Sequence, residues 1–137
     1  MNRLTATSLV LASVVLSACA VTPRVSSWDG PPRFTKAEVF NAGLQAGPQC
    51  GMQTTASDRE SGTMSFTRQI GKGQMILTAS VTTKGNIVQV RSTASYGGGL
   101  ALAGLHEEII HNFYVFLFRN LNITDPSEKK VNIELLR

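Results

Sequence analysis

Between Thr63 and Ala94 apolar and polar residues alternate along the chain with a period of two. Met64, Phe66 and Ile70 alternate with Thr63, Ser65 and Thr67, and Arg68 interrupts the apolar side. Met75, Leu77, Ala79 and Val81 carry the pattern on, followed by Val88, Val90 and Ala94 against Gln89, Arg91 and Thr93. Successive side chains of a strand point to opposite faces, so these stretches predict three strands with one apolar and one polar face. A further strand is expected ahead of them, from about Met52 to Ser57. The breaks carry turn chemistry: Asp58 to Gly62, then Ile70-Gly71-Lys72-Gly73, then Thr83-Lys84-Gly85-Asn86. One apolar and one polar face describe an antiparallel sheet that is wet on one side. After Asp125-Pro126, the alternation of Val131, Ile133 and Leu135 predicts an added edge strand.

On either side of the sheet the period changes to that of a helix. Thr35-x-x-Glu38 is a capping box, and Phe34 and Val39 hold the positions of a hydrophobic staple. Ala37, Phe40 and Leu44 are expected to line one helical face, and Gly47-Pro48 to stop the helix. In the second helical stretch, "LHEEIIHNFYVFLFRNL", Ile110, Phe113, Leu117 and Leu121 form a stripe thickened by Ile109 and Phe116. Glu107 and Glu108 suit its N-terminal end and Arg119 its C-terminal end. The run from Leu100 to Phe118 has the length of a membrane span. His106, Glu107, Glu108, His111 and Asn112 interrupt it, which rules that reading out. Two amphipathic helices and a one-sided sheet bury their apolar faces only against each other. The expectation is an α+β, two-layer sandwich: an antiparallel four- to five-stranded sheet packed against two helices.

The first twenty residues, "MNRLTATSLVLASVVLSACA", follow different rules. Arg3 supplies a positive start, Leu4 to Leu16 an apolar centre, and small residues come next. The apolar centre is too short to cross a bilayer as a helix. Its last four residues, Leu16-Ser17-Ala18-Cys19, resemble the lipobox of bacterial lipoprotein signal peptides. That resemblance implies that the Cys19 thiol takes a diacylglycerol, that residues 1–18 are removed, and that Cys19 becomes the first residue of the mature chain. One acyl chain binds a membrane reversibly, whereas two or three on one residue make desorption negligible. In enteric lipoproteins of this type an Asp after the cysteine favours the inner membrane. Ala20 and Val21 stand here instead, so the outer membrane, facing the periplasm, is the expected location.

From Ala20 to Arg33, "AVTPRVSSWDGPPR" has three prolines, one glycine and no periodic pattern. The expected division is therefore signal peptide 1–18, lipidated N-terminus and tether 19–33, and a single domain 34–137. Trp28 is the only tryptophan. Lying in the tether, it is a candidate contact with membrane or partner, with folding back onto the domain as the alternative. The order of elements in the domain resembles that of small periplasmic lipoprotein domains, including the helix-grip domains of the outer-membrane assembly lipoprotein.

Charge and candidate chemistry narrow the function more by exclusion than by assignment. The net charge of +4 is spread along 137 residues without a basic stripe, so nucleic acid is not an expected partner. Cys50 is the one thiol left in the mature domain, and the only histidines are His106 and His111. Five residues apart on a helix, those two do not share a face, and "HE-x-x-x-H" is one residue longer than the zinc motif. No metal, cofactor or catalytic residue is expected. "GGGLALAG", Gly97 to Gly104, lacks the Gly-Lys-Ser/Thr ending of a phosphate loop and reads as a mobile connection. Its Leu100 and Leu102 are candidate contact residues. The expected function is that of a membrane-anchored, non-catalytic binding module. Its partner would be another envelope protein, within an assembly, secretion or conjugation apparatus. The alternative is a small periplasmic inhibitor or an exclusion or immunity lipoprotein.

Overall fold

The computed structural model describes residues 23–98 and 104–135. In chain order they form β1 (Arg24–Asp29), α1 (Lys36–Gln49), β2 (Gln53–Asp58), β3 (Thr63–Ile70), β4 (Gly73–Lys84) and β5 (Ile87–Gly97). Next come α2 (Leu105–Asn120), a short 3-10 turn (Pro126–Glu128) and β6 (Val131–Leu135). The strands make one antiparallel sheet in the order β2-β3-β4-β5-β1-β6. Both helices pack on the same face of it. The α+β two-layer sandwich read from the pattern is the architecture, with six strands where four or five were expected.

The strands come from the alternation as expected. Met64 and Phe66, then Met75, Leu77, Ala79 and Val81, then Val88, Val90 and Ala94 are buried on the helix side. Strand β2 is an edge and all six of its residues are exposed. At the other edge, Val131 is half-buried and Ile133, expected on an apolar face, is 42% exposed. An edge strand reaches past the helices, so the same period two that buries a central strand leaves its own side chains in water.

The tether assignment for residues 19–33 needs correcting, because Arg24–Asp29 is an interior strand. It lies between β5 and β6, with Arg24 opposite Ala94 and Leu135, and Trp28 opposite Val90 and Val131. The domain therefore begins by Arg24 and not at Phe34. Pro31-Pro32 shapes the link from β1 to α1, and Arg33 there forms a two-pronged ion pair with Glu128. Trp28 is 1% exposed, stacks at a tilt on Phe118 (5.2 Å between centroids), and donates its indole N–H to the Glu128 carbonyl at 2.8 Å. It is a core residue, so the contact role suggested for it does not stand. Of the two readings open for Trp28, folding back onto the domain is correct.

Helix α1 starts where the capping box places it: Thr35 Oγ1 accepts from the Glu38 N–H at 3.2 Å. Its buried face matches the expected one only at Phe40. Ala37 is exposed and Leu44 half-buried, while Val39, Phe40, Ala42, Gly43, Ala46 and Gly47 are buried. The small residues matter because they let the helix lie close on the sheet. A Cβ at Gly47 would sit 2.1 Å from Phe66 Cε1, and one at Gly43 would sit 3.2 Å from the Met64 side chain. Gly47-Pro48 does not stop the helix either. The stop is Gly51, at φ +85°, where Met52 N–H reaches the Gly47 carbonyl and Gly51 N–H the Pro48 carbonyl. That is a Schellman closure, which needs a left-handed residue just past the helix.

Gly47→Ala is expected to destabilise the domain by about 1–3 kcal/mol, the usual cost of overpacking. Alanine's better helix propensity, worth up to about 1 kcal/mol, does not offset a clash with a fully buried ring. Chemical denaturation checks this, and a variant as stable as its parent would refute the close approach.

Candidate functional site

The uncovered face of the sheet is the largest polar surface that the strands assemble. Strand pairing aligns its side chains in rows. One row runs Thr63, Ser80, Arg91, Ser27, Asn132, and the next runs Ser65, Thr78, Thr93, Val25, Glu134. Between β5, β1 and β6 the face dips into a shallow concavity bordered by Lys84, Gln89, Arg91, Asn132 and Glu134. Gln89 Nε2 donates to Asp29 Oδ1 at 2.9 Å across its rim. Hydroxyls, amides and a few charges of both signs suit hydrogen bonding to a polar partner.

Beneath the covered face lies a polar cluster that periodicity did not reveal. Ser26 of β1 and Ser92 of β5 stand opposite each other, each 1% exposed, and their hydroxyls are hydrogen-bonded. Ser26 Oγ also donates to the Tyr114 hydroxyl of α2 at 3.0 Å. Burial pushes the Tyr114 phenol above its ordinary range, with the two serine hydroxyls opposing. The phenol is therefore neutral and the three hydroxyls satisfy one another, which is what buried polar groups require. Among the described residues, no basic side chain is hydrogen-bonded to them. His106 lies eight residues before Tyr114 on the same helix, about 12 Å along its axis at 1.5 Å per residue, with the fully buried Ile110 between. The cluster ties β1, β5 and α2 together.

His106 is itself buried in an unusual way. It is 5% exposed, and its Nε2 has no hydrogen-bond partner among the described residues. Burial lowers its affinity for a proton below the ordinary value of 6.5; nearby Glu107 opposes this and Arg24 adds to it. Arg24 and Glu107 form an ion pair at 2.8 Å. The unfolded chain thus binds a proton more readily than the folded one. The stability tied to neutral His106 is fully present above about pH 6.5 and declines as pH falls below it. Between about pH 7.5 and 5 the parent should lose stability in urea, and His106→Leu should lose less. Equal losses in both proteins would show that the imidazole is not desolvated.

The remaining sequence candidates are dispersed. His111 is exposed on the face of α2 opposite His106. The Cys50 thiol is buried at the end of α1 and donates to the Gly47 carbonyl at 3.1 Å. Burial raises its pKa and Arg68 opposes this, so it is held as the thiol. Among the described residues, no three His, Cys, Asp or Glu side chains gather closely enough to hold a metal. No described helix is long and apolar enough to cross a membrane. Cys19, Leu100 and Leu102 lie outside the described residues.

No protein-family model and no curated protein matches the chain. The solved structures similar to the chain include the following three. Ara h 8.0201 is 14% identical over 72% of this chain and 99% of its own, with a TM-score of 0.42. TTHA0849 from Thermus thermophilus is 13% identical over 72% of this chain and 92% of its own, with a TM-score of 0.40. A conserved protein from Geobacillus kaustophilus is 13% identical over 83% of this chain and 99% of its own, with a TM-score of 0.44. Likeness of this degree transfers neither an activity nor a site residue.

Proposed function

We propose that this chain is a lipid-anchored binding module of the bacterial cell envelope, held at the periplasmic face of the outer membrane and engaging another envelope protein. The observation that carries the reading is the Leu16-Ser17-Ala18-Cys19 ending of the first apolar run, five residues ahead of the strand that begins at Arg24. A cysteine there has a use as an acylation site, since two or three chains on one residue hold a domain at a bilayer without a spanning helix. The uncovered polar sheet face supports the binding part of the reading, because it offers hydrogen-bonding rows to a partner.

Labelled palmitate tests the anchor. The parent is expected to incorporate label and to float with membranes. Cys19→Ala is expected to take up none and to persist as a precursor or a misprocessed form. Equal incorporation in the two proteins would refute the lipoprotein reading.

A further inference from the structure

Arg24 enters the sheet level with Ala94 of β5 and Leu135 of β6. The ladder between β4 and β5 continues past that level to the Gln74–Gly97 pair, three residues beyond Ala94. The turn at Gly71-Lys72, which joins β3 to β4, lies further out still. At about 3.3 Å per residue, the Gln74–Gly97 pair stands roughly 10 Å beyond the start of β1 and the Gly71-Lys72 tip roughly 15 Å. The chain from Cys19 to Arg24 is five residues long, and it spans at most about 18 Å when fully extended.

These two lengths fix which end of the domain a lipidated Cys19 can bring to the bilayer. With the leash at full stretch, the hairpin tip stands only about 3 Å from the level of Cys19, and a leash shorter by that much brings it into contact. The opposite end cannot make that contact. The β4–β5 turn begins at the Lys84–Ile87 pair, and Ile87 is seven residues from Ala94. That is roughly 23 Å along the strand, more than the leash can cover.

The chemistry of the tip agrees. Residues 69–74 and 95–98 contain no carboxylate, and their one charge is the exposed Lys72. The tip is also tied across its two strands: the Tyr96 hydroxyl donates to the Ile70 carbonyl at 2.7 Å. The Tyr96 ring fills the space where a Gly73 Cβ would lie, 2.4 Å away. A lysine at headgroup level with an amphipathic tyrosine behind it suits an anionic lipid surface. We infer that the end of the sandwich made by the β3–β4 turn and the last residues of β5 rests on the membrane that holds Cys19, with Lys72 among the lipid headgroups. The uncovered sheet face then stands upright from the bilayer, open to a partner. This inference rests on the lipid anchor proposed above.

The test uses the full lipoprotein, purified from membranes and placed in vesicles of phosphatidylethanolamine and phosphatidylglycerol. Gln74→Cys and Lys84→Cys, each with Cys50→Ala, put an environment-sensitive fluorophore at either end of β4. Doxyl lipids are expected to quench the probe at position 74 and to leave the one at 84 bright. Inserting about ten Gly/Ser residues after Val21 relaxes the leash and should abolish the difference. Amine acetylation of the unsubstituted protein gives a second readout free of folding effects. Lys72 should be protected on vesicles relative to the same lipoprotein carrying the Gly/Ser insertion, and Lys84 should not. Protein that floats with vesicles yet shows equal quenching at both positions, or none at 74, overturns the orientation and leaves the anchor standing. Protein that does not float overturns the anchor and this inference with it.

Discussion

Trp28→Ala is expected to destabilise the domain by about 3–5 kcal/mol, the usual cost of removing a buried large aromatic side chain. The indole is 1% exposed, packs on Phe118, and ties the 3-10 turn to β1 through its bond to Glu128. Its loss would leave a cavity between the sheet and α2 and free a carbonyl on the turn. A tryptophan in a solvated tether would behave differently, since surface substitutions usually stay within about 0.5 kcal/mol. Urea denaturation of the two proteins therefore distinguishes strand from tether. A midpoint unchanged from the parent would refute the placement of β1.

Phe113→Ala should be of similar size, about 3–5 kcal/mol. The ring is fully buried on α2, with its centroid 6.0 Å from that of Phe66 on β3 and 5.6 Å from that of Tyr114. It also lies 3.7 Å from the place a Cβ would take on Gly43, so it joins α1, α2 and the sheet at one point. Phe113→Leu keeps most of the volume and should cost less than about 1.5 kcal/mol. Thermal melts check both. Domains of this size hold roughly 5–15 kcal/mol in all, so the alanine variant should melt far below its parent. Alanine and leucine variants that melt together would show that the ring fills no specific space.

The parts of the fold legible in the sequence are those where one face is apolar throughout. Strands β3, β4 and β5 and helix α2 each bury large aliphatic or aromatic side chains at a fixed period, and that period alone assigns their type and inward face. The start of α1 was legible for a different reason. Its N-cap is satisfied within four residues, Thr35 Oγ1 accepting from the Glu38 N–H and donating to the Glu38 carboxylate. The misreadings share one cause. Strand β1 buries Ser26, whose hydroxyl is satisfied by Ser92 and Tyr114, 66 and 88 residues away in sequence. No local window contains those partners, so the serine reads as solvated and the strand as a tether. The inner face of α1 was missed because it is made largely of Ala and Gly, whose role is to admit Phe66 and Met64. Among the candidate site residues, Trp28 was noticed for its rarity, which carries no information about whether it is covered.

By itself the sequence determined the fold class, the strand pattern from Thr63 to Ala94, the capped start of α1 and the lipobox-like ending at Cys19. Each depends on residues near one another along the chain, where backbone geometry links spacing to direction. Tertiary structure alone decided that the chain enters the sheet at Arg24 between β5 and β6, that Trp28 is core, and that Ser26, Ser92 and Tyr114 form one network. It also decided that His106 lies buried with a nitrogen that no described residue pairs. Those outcomes depend on what the far parts of the chain place opposite each residue. Burial of a polar or rare side chain is settled by its partners, and pairing across the sheet brings them together from both ends of the domain.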